Sequence, residues 1–370
     1  MQIGGGALAI LALMNDPGVN MKDISSLLEA NQKCMIRKLT EGYGDGGYFK
    51  EGDGTGSMGH IAFMPALQAW RVAGGLDFIT PRPNAQWTSL RWLLGTVVKK
   101  DGTKLFHKRD GYPHNAWGGG ISGGNYFGIG FGLASPRQQA GWLWFYNHNF
   151  LDRDMKAGAP YDTGTEFPHH SILSFVNWPW GMKERNPAEC IPRASVDHTF
   201  SYCMFRNRWQ DENDIVITFL GQRPRSHTSP SEIGPIWITA FGQELRWKSI
   251  TGGIKHFAVA KDGSAIVAAG GQCLAVDFSG ASGAEAMLVL TGGADAAPPA
   301  KSGKKGGKPA SGGEQLETET VRGEGAVFQI AFLTQGAKPA LKEAGGKITA
   351  GEQSISFRDG LILLGKWAGQ

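Results

Sequence analysis

Cysteine is scarce in this sequence, which has four in 370 residues: Cys34, Cys190, Cys203 and Cys273. No two of them form a C-x-x-C pair, the spacing that structural zinc sites and redox-active dithiols commonly use. The pattern therefore argues against a zinc or dithiol site, and we expect neither a metal nor a cofactor. Because free cysteine packs like a small apolar side chain, we expect the four thiols to be core residues.

Long apolar runs are also missing. The opening segment, MQIGGGALAILALMNDPG, holds an apolar run that is too short to cross a membrane. It lacks the basic residues and the small-x-small cleavage site of a signal peptide. We interpret it as a helix that ends at the turn residues Asn15 to Gly18, and we expect no membrane partner. Because the chain opens inside this helix, we expect the natural start to lie upstream.

Charge of one sign is in small excess. The sequence has 37 lysines and arginines against 33 aspartates and glutamates, a formal net charge of +4. Much of the excess comes from one lysine-rich segment near the C-terminus. Domains that bind nucleic acid usually carry a strong basic stripe, so the balance excludes nucleic acid as the main partner. The length suffices for two domains, each with its own core.

Glycine and tryptophan are abundant, with 55 and 12 residues respectively. Exposed aromatics among glycine-rich loops are typical of proteins that grip sugars, and equally of loop-rich, well-packed proteins. The densest stretch is EGYGDGGYFKEGDGTGSMGH, residues 41–60, with eight glycines, four carboxylates, two tyrosines and a histidine. A plain turn does not need this composition, so the stretch is the first candidate for a substrate loop.

The first half of the chain has the pattern of paired helices. One is predicted to end at Met14, and the next begins with Asn20 as N-cap and runs to Leu39. A third is predicted from about Phe63, which places Pro65 in its first turn. Helices joined by long loops continue to about residue 185. This arrangement predicts stacked helical hairpins over residues 1–185, as in part of an α/α toroid.

The pattern changes to strands from about Ala194. About ten segments of strand length follow, and turn pairs such as Asp262-Gly263 and Asp359-Gly360 separate them. Residues 293–315 are rich in glycine, lysine and proline, a composition that predicts a disordered insertion. The sequence thus predicts an α+β multidomain protein, a partial α/α toroid followed by an antiparallel β-sandwich over residues 194–370.

This order of domains, with certain segments, resembles the heparinase II/III-like polysaccharide lyases. The segments that carry the resemblance are GGALAILAL, DGGYFKEG, DGTKLFHKRDG and FRNRWQDENDIVITFLGQ. The resemblance implies a substrate site between the two domains and β-elimination on acidic polysaccharides or oligosaccharides that contain uronate. It also implies a secreted or periplasmic protein, which agrees with a start further upstream.

β-Elimination needs three groups whatever the fold. A cation or hydrogen-bond donor must neutralise the uronate carboxylate, a base must take the C5 proton, and an acid must protonate the leaving oxygen. Relatives carry a tyrosine a few residues past the EG of the motif, where this chain has Thr55, Ser57 and Met58. The residue that neutralises the carboxylate in relatives would lie before the first helix, upstream of this chain.

His60 is the nearest titratable group to the missing tyrosine. An imidazole can act as a base near neutral pH, although His60 could equally cap the helix that follows. Glu51 stands at the family's motif position, where the resemblance implies that it holds the substrate loop.

A second glycine-rich loop, residues 107–128, gathers a phenol, an imidazole, an amide and aromatic surfaces. Tyr112 and His114 are candidate acid/base groups, and Asn115, Trp117 and Tyr126 are candidate sugar contacts. The alternative is that Trp117 and Tyr126 pack within the loop and that His114 bonds to backbone. A loop of this length is usually functional or disordered.

The strand-rich half adds three candidates. His227 is the lone histidine in a segment where relatives often show a His-x-His cluster, and one histidine does not make a zinc site. It is a candidate acid/base group, or alternatively part of a solvated loop. Arg206 and Arg223 are candidates for holding the acidic sugar.

Two other functions stay open. A non-catalytic glycan-binding or scaffold module would explain the missing tyrosine. A glycoside hydrolase on an α/α toroid would use two facing carboxylates, for which Asp45, Glu51 and Asp53 are available.

Overall fold

A computed structural model of the chain describes residues 2–50, 53–101, 104–106, 124–157, 169–222, 233–292, 314–323 and 326–367. Helices and antiparallel sheets both contribute, which confirms the predicted α+β class. The chain forms two compact units. The first is helical and includes Met1–Thr96 and Arg109–Pro192; the second is rich in strands and includes Val97–Lys108, Arg193–Arg223 and Pro230–Gln370.

Within the described residues, the α-helices lie before residue 191. They are α1 (Gln2–Leu13), α2 (Met21–Arg37), α3 (Asp53–Val72), α4 (Pro83–Gly95), α5 (Gly124–Phe131), α6 (Pro136–Asn149), α7 (Leu151–Ala157), α8 (His169–Asn177) and α9 (Pro187–Cys190). A π-helical turn, Lys38–Gly42, extends α2. None of the helices in the described part of the chain combines the length and the apolarity that a membrane span requires.

Polar side chains set the ends and the packing of the first helices. Asn20 caps α2 as predicted, and its side-chain oxygen accepts a hydrogen bond from the Lys22 amide. Asn31 ties three helices together: its amide donates to the Ile3 carbonyl, and its oxygen accepts from the indole of Trp70. Around these bonds, apolar residues of α1, α2 and α3 share one core.

Helix α3 begins ten residues before the predicted position. The prediction started this helix near Phe63, whereas the structure starts it at Asp53 and places Pro65 well inside it. Three glycines between residues 53 and 60 lower the intrinsic helix propensity by about 1 kcal/mol each relative to alanine. Because of this low propensity, the sequence pattern did not predict the first turns of the helix. The last eight residues of the glycine-rich stretch are in fact helical and not part of a loop.

The strands form one short two-stranded ribbon and three larger sheets. The strands are β1 (Thr96–Val98), β2 (Lys104–Phe106), β3 (Ala194–Asp197), β4 (Tyr202–Arg206), β5 (Val216–Leu220), β6 (Pro235–Ala240), β7 (Gln243–Ser249), β8 (Ile254–Val259), β9 (Ala265–Ala269), β10 (Gln272–Asp277), β11 (Ala286–Gly292), β12 (Glu314–Gln315), β13 (Glu319–Gly323), β14 (Ala326–Leu333), β15 (Leu341–Ala344), β16 (Lys347–Ala350), β17 (Gln353–Arg358) and β18 (Leu361–Leu364).

The larger sheets have the strand orders β12-β7-β6-β5-β4-β3, β13-β14-β11-β10-β9-β8 and β15-β16-β17-β18. Among the described strands of these sheets, neighbours pair antiparallel except for β12, which adds to β7 in parallel. Glu314 and Gln315 therefore form a strand, although the sequence placed them in the disordered insertion. The rest of that insertion, residues 293–313, lies outside the described residues.

The middle sheet is buried on both faces. Along β10, Leu274 and Val276 enter the core shared with the β3–β7 sheet, whereas Cys273 and Ala275 enter the core shared with the β15–β18 sheet. A strand buried on both faces reads as a continuous apolar run, which suits CLAVDF. The strand-rich unit is thus layered three sheets deep, and the third layer was not predicted.

The predicted turn at Asp359-Gly360 is confirmed. Both residues have positive φ, +52° and +81°, as a type I′ hairpin turn requires. The turn joins β17 to β18 and so fixes the register of the outermost sheet.

The four thiols differ in burial, and we expect them to differ in reactivity. Cys34 is exposed, whereas Cys190, Cys203 and Cys273 are buried. Burial raises the pKa of Cys273 to about 11 and also raises the pKa of Cys203 and Cys190, so these thiols stay protonated at pH 8. Because the thiolate is the reactive form, a disulfide reagent at pH 8 should modify one thiol of the native protein quickly. The other three should react only on unfolding.

A Cys34→Ser variant is the control, and it should lose the fast phase. Two or more fast equivalents in the folded wild type would contradict the burial of the remaining thiols.

Candidate functional site

The glycine-rich stretch contains a compact reversal of the chain, which we call the Tyr43–Lys50 loop. It follows the π-helical turn and closes through a bridge between Tyr43 and Phe49. The Gly44 amide donates to the Tyr48 carbonyl at 2.9 Å, and the Lys50 amide donates to the Gly42 carbonyl at 2.9 Å. These backbone bonds make the loop a fixed structure and not a linker.

Gly47 allows the loop to lie directly on helix α4. Its φ of +77° is costly for a side chain, and a Cβ added there would stand 2.6 Å from the carbonyl carbon of Trp87. A second link to α4 comes from Asn84, whose amide donates to the Leu39 carbonyl at 2.7 Å. Glycine in the DGGYF segment is therefore required by packing.

The aromatic side chains of the loop point inward. Tyr43, Tyr48 and Phe49 are all buried, and the Tyr43 ring lies 5.0 Å from that of Phe49 and 5.7 Å from that of Phe63. Burial raises the pKa of the Tyr43 phenol far above its usual value, against a smaller opposite effect of the Arg91 charge. Tyr43 thus stays protonated, and it cannot act as a base. Asp45, by contrast, is exposed at the tip of the loop.

Arg91 is a buried cation beneath the loop that sequence reasoning missed. Arg91 is fully buried, with an exposed fraction of 0%. Its guanidinium carbon lies 5.2 Å from the ring centroid of Tyr48 and 5.4 Å from that of Trp92. Fully buried arginine is rare without partners, so an arginine inside the apolar run SLRWLLG was a usable signal. The positive charge of the guanidinium is attracted to the faces of these two rings. Because Tyr48 belongs to the loop, this attraction helps to hold the loop in place.

Lys38 is a second cation beside the loop, and it borders a cavity. Its ammonium lies 4.7 Å from the ring centroid of Phe49 and 5.4 Å from that of Phe63. The cavity has a volume of about 260 Å³ and is lined by Gln2, Ile3, Gly4, Lys38 and Phe63. A half-buried lysine that lines a cavity can hold an anionic group.

Three of the predicted site residues have a described backbone position: His60, Tyr126 and Arg206. His60 lies on α3, three residues before Phe63, and Tyr126 lies on α5. Seven other predicted site residues lie outside the described part of the chain: Glu51, Tyr112, His114, Asn115, Trp117, Arg223 and His227.

Arg206, the remaining predicted residue, lies in the interior of the strand-rich unit. Its side chain is 2% exposed and donates to the Asp214 carboxylate at 2.7 Å. Its Nε donates to the Arg208 carbonyl, and its guanidinium stacks 3.9 Å from the ring centroid of Trp209. These contacts account for Arg206 as a structural residue.

Within the part of the chain that the structure describes, no group of three or more histidine, cysteine, aspartate or glutamate side chains could hold a metal ion. The arrangement around the loop instead offers a small cavity that Lys38 lines, above a layer of buried rings and the buried Arg91. Its chemistry suits the binding of an anionic group.

No family model matches the chain, and no curated protein matches its sequence.

Proposed function

We propose that the chain is a polysaccharide lyase-like protein that acts by β-elimination on uronate-containing glycans. The observation that carries the proposal is that Lys38 lines the cavity beside the Tyr43–Lys50 loop. Pockets for drug-sized ligands measure about 300–1,000 Å³, so a cavity of 260 Å³ suits a single sugar residue. We further propose that the helical unit is part of an α/α toroid.

Lys38 supplies the first requirement of the reaction. Its charge pairs with the uronate carboxylate and so makes the C5 proton more acidic. The rings of Phe49 and Phe63 hold the ammonium in place, and Phe63 also gives the sugar an apolar wall.

His60 is the proposed base. Positions three apart on a helix share a face, and Phe63, three residues after His60, lines the cavity. In the proposed step, the imidazole takes the C5 proton and leaves the electron pair of the C–H bond at C5. This pair forms the double bond between C4 and C5 as the C4–O bond breaks, and the leaving oxygen keeps the electron pair of that bond and accepts a proton from Tyr112.

A non-catalytic glycan-binding module is the second candidate. It is favoured by the burial of Tyr43 and Tyr48, because neither phenol of the loop faces solvent. A glycoside hydrolase, the third candidate, would need a second carboxylate facing the exposed Asp45.

Absorbance at the wavelength of the unsaturated product distinguishes the three. With polygalacturonate, alginate, heparin and hyaluronan as substrates, we expect a rise in absorbance on at least one. A hydrolase would raise reducing ends without absorbance, and a binding module would raise neither. A flat trace on all four polymers, from protein shown to be folded by circular dichroism, would overturn the lyase proposal.

Variants then locate the groups. Lys38→Met should lower kcat as well as raise KM, because the ammonium both pairs with the carboxylate and makes the C5 proton more acidic. Lys33→Met replaces an exposed lysine of α2 that pairs with Glu29, and it should leave both constants unchanged. His60→Ala should lower kcat, with the exposed His256→Ala as its control. Tyr112→Phe should lower kcat if its phenol protonates the leaving group.

A further inference from the structure

A second surface of the helical unit exposes large aromatic and aliphatic side chains. Trp180, which follows helix α8, is 59% exposed. Three apolar residues of α8 are exposed as well: Ile172 (67%), Phe175 (52%) and Val176 (64%). Other described tryptophans, such as Trp70, Trp92 and Trp142, are less than 5% exposed. An exposed cluster of this kind commonly marks a binding surface.

The Trp180 ring is held in a fixed orientation. Its indole N–H donates to the Phe175 carbonyl at 3.2 Å, and the two rings meet edge to face with centroids 5.6 Å apart. The N–H is therefore engaged by this bond, and the bond and the ring contact together hold the exposed indole in one orientation.

The segment that carries Trp180 is anchored to helix α6. The Trp178 ring meets that of Tyr146 at 4.9 Å, and the Arg185 amide donates to the Ala140 carbonyl at 3.1 Å. Between them, Glu184 accepts a hydrogen bond from the Asn147 side chain at 2.6 Å. Because both ends are fixed, a ligand stacked on Trp180 orders little additional structure, which lowers the entropic cost of binding.

The charges near the ring favour an anionic ligand. Lys183 and Arg185 are exposed on the same segment, and three residues span at most about 11 Å, so Lys183 begins within that distance of Trp180. The opposing carboxylate, Glu184, is already bound to Asn147 and lies 3.9 Å from His148. The segment thus combines an aromatic face, which attracts the C–H groups of a pyranose ring, with cations for its carboxylates.

We propose that Trp180 and Phe175 form a stacking platform for a sugar ring of an acidic polysaccharide, separate from the Lys38 cavity. The acidic nature of the glycan rests on the proposed function; the platform itself rests on the exposed ring and its anchors. Its role is to hold the polymer, so it should act on long chains and not on short ones.

Substitutions at Trp180 test the platform with polygalacturonate, alginate, heparin and hyaluronan as ligands, measured by affinity electrophoresis and calorimetry. Trp180→Ala should weaken binding to the preferred polymer on the order of tenfold. Trp180→Phe, which keeps a ring, should retain most of the affinity, whereas Trp180→Leu, which keeps apolar area alone, should behave like alanine. Val72→Ala, at an exposed apolar residue of α3, is the matched control and should bind like the wild type.

Charge is tested separately. A Lys183→Gln/Arg185→Gln double variant should lose affinity for the acidic polymer at low salt and lose little at high salt, because salt screens exposed charges. Dextran, a neutral polymer, should bind less tightly than the acidic one.

Several outcomes overturn the platform. They are wild-type affinity in Trp180→Ala, equal affinity in Trp180→Leu and wild type, and no binding of any polymer by the wild type. A wild-type dimer that Trp180→Ala converts to a monomer, with unchanged glycan binding, would assign the surface to self-association instead. Loss of binding in Trp180→Ala with a flat absorbance trace would support the platform while overturning the lyase activity, so the two failures are distinguishable.

Discussion

Replacing Asp214 with alanine is expected to lower the free energy of unfolding of the strand-rich unit by about 3–5 kcal/mol, the range for breaking one side of a buried ion pair. Asp214 and Arg206 are each 2% exposed and lie 2.7 Å apart. Removal of the carboxylate leaves the Arg206 guanidinium buried without its counter-charge. Burial already lowers the pKa of Arg206, and the charge of Asp214 raises it in opposition, so the pair depends on both partners.

Asp214 has a second role that adds to the loss. Its carboxylate accepts backbone hydrogen bonds from the amides of Gln210 and Asp211 at 3.0–3.2 Å, and also from the side chain of Arg208. The turn between β4 and β5 is therefore folded around this one carboxylate. Asp214→Asn keeps a single acceptor oxygen without the charge, so it should be destabilised less than Asp214→Ala.

Urea unfolding, followed by tryptophan fluorescence and by circular dichroism, measures the effect. Asp211→Ala is the matched control, since the Asp211 side chain is 47% exposed and pairs with Arg208 at 3.2 Å. Exposed pairs contribute about 0.2–1 kcal/mol. A loss below 1 kcal/mol in Asp214→Ala, or an equal loss in the two variants, would contradict the role assigned to the buried pair.

The order of helices and strands could be predicted because it depends on local pattern. Apolar periodicity predicts the helices, and alternation of apolar and polar residues predicts the strands. Asn20 marks a helix start and Asp359-Gly360 marks a turn, since a cap or a type I′ turn is determined by a few adjacent residues. The start of α3 could not be read in the same way. Glycine makes its first turns poor helix formers in isolation, and helix stability in proteins comes mainly from tertiary packing.

Arg206 shows why site residues are harder to predict. Arginine is usually exposed, so an arginine at the start of the strand-rich half suggested a ligand for acidic sugar. Its partner Asp214 lies eight residues away, across a turn whose shape only the fold reveals. Arg91 is the opposite case, because its buried position beneath the loop gives it a structural role that the sequence analysis did not predict.

The assignment of strands to three stacked sheets likewise could not be predicted from the local sequence pattern. The pattern after Ala194 predicts strands, but strand propensity does not show which sheet a strand joins. That choice depends on the apolar outer face of the middle sheet, where Met287 and Phe328 meet Ile348 and Ile362.

Gly47→Ala is expected to displace the Tyr43–Lys50 loop from helix α4 and to destabilise the helical unit by about 2–4 kcal/mol. Two costs combine: a side chain at φ of +77° is strained, and its Cβ would stand 2.6 Å from backbone of Trp87. Overpacking alone costs about 1–3 kcal/mol. Because backbone and not a flexible side chain stands in the way, the loop itself has to move.

The movement should reach the proposed site. Phe49 closes the loop through its bridge to Tyr43, and the ammonium of Lys38 lies over the Phe49 ring. A displaced loop moves this ring, and with it the wall that positions the cation. We therefore expect Gly47→Ala to lose most of the proposed β-elimination activity, or most of the affinity for a glycan in the case of a binding module, under conditions where the protein is still folded.

Gly75→Ala separates the two costs. Gly75 also has a positive φ, +69°, but a Cβ there would have no heavy atom within 4 Å. It therefore reports the backbone strain alone, about 1 kcal/mol, and it should leave activity and binding unchanged. Urea unfolding gives the stability of both variants, and the absorbance assay with calorimetry gives their function. If Gly47→Ala matched Gly75→Ala in both measurements, the contact between the loop and α4 would not govern the site, and Lys38 would have to be positioned by the π-helical turn alone.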